Sequence, residues 1–246
     1  MKIGVSSLSV YKENILNNLE FIEGLNVDYC ELLNDYPNII DINSLKSYNL
    51  KYTIHSPIID LNLASLNKNI QKVSIAEIKR SIDLARELNS EIVVVHAGNL
   101  PFSARSFENK ALAKSRESIK ICGDYGKDLG VEVAIENMPN VEGFFYQDIY
   151  ELNKLLEDLE MSMTLDVAHG ATAGFKEDEL YFDSVKHIHL SDNNRDSDDH
   201  LSLGEGSIDF KTIINNFKKN SYEGIYVIEV FSKDDAVKSL NFLKKI

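Results

Sequence analysis

Eight strand-like segments alternate with helix-like segments along the 246 residues of this chain, and this alternation is what most constrains its fold. Several strand segments are almost continuous apolar runs, such as IVVVHA and IYVIEV. Such runs are typical of parallel strands that are buried on both faces. The eight predicted strands are Lys2–Val10, Asp28–Leu33, Tyr52–Ser56, Glu91–Ala97, Val131–Asn137, Ser162–Ala168, Val185–Ser191 and Gly224–Val230.

The clearest helical patterns between these strands are Ile70–Leu88 and Arg105–Leu129. In the first, apolar residues recur at steps of three and four, which predicts one buried stripe. Gly130 follows the second and is typical of a helix end that leads into a strand. The least distinct helices are the second, Asp41–Tyr48, and the sixth, Lys176–Ser184.

Alternating β and α units indicate an α/β protein with a parallel sheet, and eight of them predict closure into a (β/α)8 TIM barrel. A chain of this length suits one such barrel, since a barrel typically takes about 250 residues. No linker or composition shift divides the chain, so we expect a single domain over residues 1–246. Catalytic groups in such barrels lie at the carboxyl ends of the strands.

The net charge of −13 and the absence of any dense Lys/Arg run disfavour a nucleic-acid partner, without removing one from consideration. Residues 1–10 carry no signal-peptide pattern, and no apolar run approaches the roughly 20 residues that span a membrane. Cys30 and Cys122 have no CxxC spacing. We therefore expect a cytoplasmic protein without a membrane partner, and its oligomeric state stays open.

Nine potential metal ligands lie near the ends of different predicted strands. They are His55, His96, Glu136, Asp166, His169, His189, Asp198, His200 and Glu229. Five of the six histidines of the chain are in this set. Imidazoles and carboxylates that converge on one point are the ligands of a divalent cation, so the distribution predicts a metal enzyme.

Two further polar residues lie within predicted strands. Residues two apart in a strand face the same side, so His187 and His189 both point inward, with His187 roughly 6–7 Å deeper. We interpret His189 as a ligand and His187 as a core residue or a support for the ligands. Glu31 ends the second strand, where it either orients a substrate or has a structural role.

The motifs HSPIIDLNLAS, VVVHAG, IEN, LDVAHG, HLSDNNR and HLSLGEGSIDF resemble those of the xylose-isomerase-like TIM barrel superfamily. This superfamily includes endonuclease IV and the sugar and sugar-phosphate isomerases and epimerases. The resemblance extends from about residue 3 to residue 230. It implies a divalent-metal site at the carboxyl end of the barrel and does not identify one substrate.

Relatives that isomerise or epimerise sugars hold one divalent ion with a Glu, an Asp, a His and a Glu, which match Glu136, Asp166, His189 and Glu229. The resemblance implies that Glu136 and Glu229 also act as catalytic acid and base, moving a proton on a small sugar or sugar phosphate through an enediolate. The ligand set suits Mn²⁺ or Mg²⁺, with Zn²⁺ as a further possibility.

The alternative is a zinc-dependent phosphoesterase of the endonuclease IV type, an apurinic/apyrimidinic endonuclease with up to three zinc ions. The resemblance then adds five ligands to the four: His55, His96, His169, Asp198 and His200. Asp198 is preferred over Asp199 because of the D-x-H spacing. In a mononuclear enzyme, the resemblance instead implies substrate binding by His55, His96 and His169, and Arg195 is a further candidate because its guanidinium matches oxyanions.

Other motifs depart from the nuclease pattern. The chain opens with IGVSSLSV where nucleases have a G-x-H-x-S-type strand, and Pro57 and Ile58 follow His55 where nucleases carry an aromatic residue. Together with the negative charge, these departures make the isomerase or epimerase the leading hypothesis. A metal-binding protein without catalysis is the third.

Overall fold

The computed structural model describes residues 1–11, 15–37 and 40–246 of the chain. Eight parallel strands form a closed barrel in sequence order, with the last strand paired to the first, which confirms the predicted fold class. The strands are β1 (Lys2–Ser6), β2 (Tyr29–Leu33), β3 (Lys51–His55), β4 (Ile92–His96), β5 (Glu132–Glu136), β6 (Ser162–Asp166), β7 (Val185–Leu190) and β8 (Ile225–Ile228).

Helices surround this barrel. Among the described residues they are α1 (Leu19–Gly24), α2 (Ile42–Leu45), α3 (Lys68–Glu87), α4 (Glu108–Leu129), α5 (Ile149–Leu159), α6 (Val167–Thr172), α7 (Phe210–Lys219) and α8 (Lys233–Leu243), with 3-10 turns at Ser7–Val10, Ile15–Asn18, Phe102–Phe107 and Glu177–Glu179. Gly130 ends α4 in the left-handed conformation (φ 71°), as its position predicts. Within the described residues, no helix is both long and apolar enough to cross a bilayer.

Strand β4 illustrates how the barrel separates two apolar regions. Val93 and Val95 belong to the large core between strands and helices, together with Ile82 of α3 and Ile119 of α4. Val94 faces the other way, into a smaller interior cluster. Because successive side chains of a strand alternate in direction, the continuous IVVV run fills both regions. The last residue of the same strand, His96, lies at the barrel mouth.

The first predicted strand is too long. Strand β1 ends at Ser6, and Ser7–Val10 forms a 3-10 turn instead of continuing the strand. The hydroxyl of Ser6 accepts a hydrogen bond from the backbone N–H of Leu8 (3.2 Å), which caps this turn. The apolar alternation of the segment masked the capping signal.

The predicted second and sixth helices are also corrected. The second is reduced to α2, which Asp41 caps. The sixth, predicted at Lys176–Ser184, lies earlier, at Val167–Thr172, and only Glu177–Glu179 of the predicted range forms a 3-10 turn. The physical reason is Asp166, whose carboxylate accepts the backbone N–H of His169 (2.7 Å) and starts the helix directly after β6.

Candidate metal centre

All nine predicted ligands lie at the carboxyl end of the barrel. Four of them, His55, His96, Glu136 and Asp166, are the last residues of their strands. The others lie in or just after the ends of later elements: His169 in α6, His189 in β7, Asp198 and His200 in the loop after β7, and Glu229 after β8. Parallel register thus brings residues that are remote in sequence to one mouth.

Four side chains form what we call the inner group: Glu136, Asp166, His189 and Glu229. Each offers a ligand atom, and these atoms lie within 4.8 Å of one another. His189 Nδ1 is 3.1 Å from Glu136 Oε1, 3.1 Å from Glu229 Oε2 and 3.9 Å from Asp166 Oδ2. Three carboxylates around one imidazole nitrogen, all buried, form a site where a divalent cation could be held.

A lateral group of His55, His96 and Glu136 shares one member with the inner group. The Nε2 atoms of the two histidines lie 3.3 Å and 3.0 Å from Glu136 Oε2. Since Glu136 Oε1 belongs to the inner contacts, its carboxylate lies between the two groups and uses one oxygen for each.

The outer group consists of His169, Asp198 and His200. Asp198 Oδ2 lies 3.2 Å from His169 Nε2 and 3.3 Å from His200 Nε2. Its neighbour Asp199 is exposed and accepts a hydrogen bond from Ser197 Oγ (2.8 Å). The side chain that reaches the histidines is therefore that of Asp198, as the D-x-H spacing indicates.

Main-chain carbonyls fix the orientation of three imidazoles. The contacts from Nδ1 to carbonyl oxygen join His55 to Ser56 (2.9 Å), His169 to Asn137 (2.8 Å) and His200 to Glu229 (2.9 Å). A carbonyl oxygen only accepts, so each Nδ1 carries the hydrogen and each Nε2 faces a carboxylate. In the neutral ring that Nε2 presents a lone pair to an anion, an arrangement that a proton or a metal ion stabilises.

Unpartnered oxygens provide a test of whether the residues fit a cation. Asp166 Oδ2 and Asp198 Oδ1 are buried and have no hydrogen-bond partner within the described residues. A buried carboxylate oxygen without a donor is costly unless a cation compensates it. The inner and outer groups each contain one such oxygen, so the residues present fit divalent metal.

The electrostatics also indicate a site that attracts cations. Burial works to lower the pKa of His55, but the hydrogen bond and charge of Glu136 outweigh it and raise this pKa to about 9. Burial also works to lower the pKa of His169, but the negative charge of Asp166 outweighs it and raises this pKa to about 10. His96 differs, because burial prevails and lowers its pKa. Protons on His55 and His169 thus offset the negative charge of the surrounding carboxylates.

The pKa values of two buried carboxylates shift in opposite directions because their neighbours differ. Burial raises the pKa of Asp166 to about 6, helped by the negative charges of Glu136 and Asp198. Although burial opposes it, contact with several imidazoles holds the pKa of Glu136 well below its usual range. His200 has its pKa raised to about 9, mainly because its contact with Asp198 outweighs burial.

Asn137 joins two strands beneath the centre. Its side-chain amide donates to the carbonyl of Asp166 (2.9 Å), and its amide oxygen accepts the backbone N–H of the same residue (2.8 Å). Its own carbonyl holds the ring of His169. Asn137 thus positions two candidate ligands, Asp166 and His169. Metal ligands are usually held in this way by hydrogen bonds from neighbouring residues.

Asp192 organises the loop that carries Asp198 and His200, and nothing in the sequence pattern indicates this role. Its carboxylate accepts the backbone N–H groups of Asn193 and Gly204 (both 2.9 Å), Gly206 (2.9 Å) and Ile208 (3.2 Å). A Cβ atom at Gly206 would lie 2.4 Å from the carbonyl oxygen of Asn193, so only glycine allows this approach. The G-E-G motif after Asp198 and His200 is the sequence signal that indicates such a tightly packed loop.

Arg195 lies on the same loop, but its guanidinium is engaged elsewhere. It forms an ion pair with Glu177 and donates to the carbonyl of Phe175 (3.1 Å). A role of Arg195 in binding a substrate stays a prediction. To contact a substrate, its guanidinium would have to leave Glu177 and the carbonyl of Phe175.

Comparison with known proteins identifies the family. Residues 42–246 match the sequence profile of the xylose isomerase-like TIM barrel family. The chain belongs to this family. An uncharacterized protein of Methanocaldococcus jannaschii is 32% identical over 260 residues, covering 100% of this chain and 89% of that protein. A crystal structure described as a D-tagatose 3-epimerase-like protein is 31% identical, with a TM-score of 0.92, and the match covers 100% of this chain and 96% of that one.

A relative from the other branch of the family also matches. A probable endonuclease 4 of Persephonella marina is 29% identical over 178 residues, which is 61% of this chain and 59% of that protein. The proteins similar to this chain thus include one named as epimerase-like and one named as an endonuclease.

Proposed function

We propose that this chain is a divalent-metal-dependent isomerase or epimerase that acts on a small sugar or sugar phosphate. The observation that carries the proposal is the inner group, in which Glu136 and Glu229 both contact His189 Nδ1 at 3.1 Å. The structure of the 31% identical D-tagatose 3-epimerase-like protein, which matches over the whole chain, supports the same assignment.

The four residues of the inner group would hold the ion. Bound there, a divalent cation would polarise a substrate carbonyl and lower the cost of the negative charge that develops on its oxygen. The carboxylates supply the proton transfer. Both glutamates are buried, and Glu229 at the mouth is the more exposed of the two (8% against 1% for Glu136). A carboxylate next to the carbon that bears the acidic hydrogen removes that proton, which leaves an enediolate, and a carboxylate returns a proton to complete the reaction.

Both glutamates are in the protonation state that a base requires. Burial works to raise the pKa of Glu229, but His189 and His200 outweigh it and lower this pKa. The pKa of Glu136 is also low. Each is therefore ionised at neutral pH before the reaction. In an isomerisation, the glutamate that accepts the substrate proton returns it to the neighbouring carbon. In an epimerisation, the proton returns on the opposite face, so the other glutamate must first take up a proton from solvent or substrate hydroxyl groups while the first releases its own.

The test uses a panel of free and phosphorylated ketoses in D₂O with Mn²⁺. Wild-type protein is expected to exchange a carbon-bound hydrogen for deuterium in at least one sugar, as measured by NMR, and to form an isomer or epimer. Glu136→Gln and Glu229→Gln should each abolish the exchange while far-UV circular dichroism stays unchanged. Exchange retained by both variants would contradict the proposed proton transfer.

The lateral and outer groups favour a second candidate, a zinc-dependent phosphoesterase of the endonuclease IV type. The two oxygens of Glu136 are engaged by separate groups, so this carboxylate would serve both if the inner and lateral groups each held a metal ion. The similarity to a probable endonuclease 4 supports this candidate. The test is cleavage of abasic duplex DNA with Zn²⁺, which should be lost in His96→Ala and in His200→Ala.

Elemental analysis of the purified protein separates the two candidates. About three zinc ions per chain would favour the phosphoesterase, and one manganese or magnesium ion would favour the isomerase or epimerase. Tight metal binding without turnover on either panel would instead support a non-catalytic metal-binding protein.

A further inference from the structure

His189 faces the centre with the opposite nitrogen from its neighbours. His55, His169 and His200 direct Nε2 toward carboxylates, because main-chain carbonyls hold their Nδ1 atoms. His189 instead directs Nδ1 toward Glu136 and places Nε2 deeper in the barrel. What holds this ring is therefore a different kind of group.

That group is Glu31, which lies in the middle of β2 and not at the strand end predicted from the sequence. Glu31 is fully buried, and its Oε1 lies 2.8 Å from His189 Nε2. This contact is an ion-pair distance whose angle lies outside hydrogen-bond geometry. Two lone pairs at this separation would repel each other, so the hydrogen of the neutral ring belongs on His189 Nε2, next to the carboxylate that only accepts. The lone pair of the neutral ring is then on Nδ1, which faces the inner group.

Two other side chains hold Glu31 in place through its second oxygen. His187 Nε2 lies 2.7 Å from Glu31 Oε2, and Thr53 Oγ1 donates to the same oxygen at 3.0 Å. His187 and His189 are both fully buried, with ring centroids 5.2 Å apart. A carboxylate at this depth is costly unless such donors surround it, so the cluster is a built arrangement and not an incidental contact.

We propose that Glu31 is a positioning residue, which fixes His189 with Nε2 protonated and Nδ1 free to ligate a cation together with Glu136, Asp166 and Glu229. The proposal rests on the metal binding that the proposed function requires, and on no particular substrate. The hydrogen bonds and ion pairs of the Glu31 side chain within the described residues go to His187, His189 and Thr53, and none goes to the other three members of the inner group. Glu31 acts through His189, and its negative charge increases the basicity of the ligand nitrogen.

The experiment measures Co²⁺ binding at pH 7.5 by competition with a chromophoric chelator, along with the visible spectrum of the bound ion. Glu31→Gln keeps the shape of the side chain and removes its charge, and we expect it to weaken Co²⁺ affinity by about 10- to 100-fold and to alter the spectrum. Thr53→Val leaves the charge in place and should weaken affinity by less. Glu223→Gln removes an exposed carboxylate at the opposite end of the barrel and serves as the matched control.

A second measurement does not depend on any Glu31 variant folding. Long-range ¹H–¹⁵N NMR spectra of ¹⁵N-histidine-labelled protein with Zn²⁺ distinguish which ring nitrogen binds metal, and the signals of one ring are assigned by their loss in His189→Gln. We expect Nδ1 to be metallated in His189 and Nε2 to be protonated. A metallated Nε2 in His189 would overturn the proposal.

The outcomes separate this inference from the proposed function. Normal Co²⁺ binding by wild type with unchanged affinity and spectrum in Glu31→Gln would overturn the positioning role alone. Absence of Co²⁺ binding by wild type would overturn both. Loss of sugar turnover with intact Co²⁺ binding and the expected His189 spectrum would count against the proposed function and leave the role of Glu31 supported.

Discussion

The inner and outer groups face the same mouth but are held by different parts of the fold. The inner group extends from strand ends or the residue beyond, and its most exposed member, Glu229, is only 8% exposed. In the outer group, Asp198 and His200 lie on the loop after β7, and the Asp198 side chain is 23% exposed. Barrel register therefore sets the first geometry, whereas a single buried carboxylate, Asp192, sets much of the second.

The two candidate functions differ in which of these groups they need. Both candidates would use the inner group, which is sufficient for the proton transfer of an isomerase or epimerase. Only the phosphoesterase needs metal at the outer group. Perturbing the two groups separately is therefore the sharpest way to decide between the functions.

The largest expected effect comes from comparing Glu229→Gln with His200→Asn. If the chain is an isomerase or epimerase, Glu229→Gln should lower turnover by about 10²- to 10⁴-fold, because a general acid–base is lost. His200→Asn should lower it by less than about tenfold, since no proton-transfer group is removed. Initial rates on the best sugar of the panel measure both, and equal large losses would show that the outer group is part of the catalytic centre.

The second effect is on stability as a function of pH. The pKa values of His169 and His200 are raised in the folded chain to about 10 and about 9. A raised pKa stabilises the fold fully below the unfolded value of about 6.5, and the contribution is lost as pH rises toward the folded value. Metal-free protein should thus lose on the order of a few kcal/mol of unfolding free energy between pH 6.5 and 8.5.

Urea unfolding of metal-free and Zn²⁺-loaded protein at several pH values checks this expectation. Metal replaces the protons, so the loaded protein should show a shallower decline. His200→Asn should remove part of the slope in the metal-free protein. A metal-free stability that stays flat or rises across this range would contradict the charge assignment of the outer group.

A third and smaller effect is expected from Asp192→Asn. The amide is neutral and cannot accept all four backbone N–H groups, so we expect the unfolding free energy to fall by about 2 to 3 kcal/mol. Because the loop it holds carries Asp198 and His200 and no member of the inner group, metal affinity at the inner group should change little. Asp196→Asn, an exposed change on the same loop, is the control. Loss of inner-group affinity would mean that the two groups are not independently supported.

The sequence revealed the inner region better than the outer one, for a physical reason. A polar residue that ends an apolar strand, such as Glu136 in VAIEN, is visible because its position follows from local periodicity and barrel topology. Asp192 could not be recognised in this way, since its partners Gly204 and Gly206 become neighbours only when the loop folds back. Glu31 was ambiguous because its role depends on a residue 158 positions later, His189.

Asp166 illustrates a second limit. The LDVA segment has the apolar character of a strand, and this pattern predicts a strand that extends through Ala168. In the structure, Asp166 ends β6 and caps α6 at once. One carboxylate oxygen accepts the N–H of His169, and the other stays free to face the inner group. Hydrophobic periodicity assigns each residue to one secondary-structure element. It therefore cannot identify a residue such as Asp166, which ends a strand and caps a helix.

The smallest expected effect tests the outer group with two adjacent residues. Asp198→Asn and Asp199→Asn make the same chemical change one position apart. Of these two residues, Asp198 is the one that contacts His169 and His200. Asp198→Asn should therefore weaken Zn²⁺ binding beyond the first equivalent by about 10- to 100-fold, which chelator competition measures. Asp199→Asn should match wild type. If neither variant changes any Zn²⁺ step, the outer group binds no metal, its histidines are left to bind protons or substrate, and the phosphoesterase loses its main support.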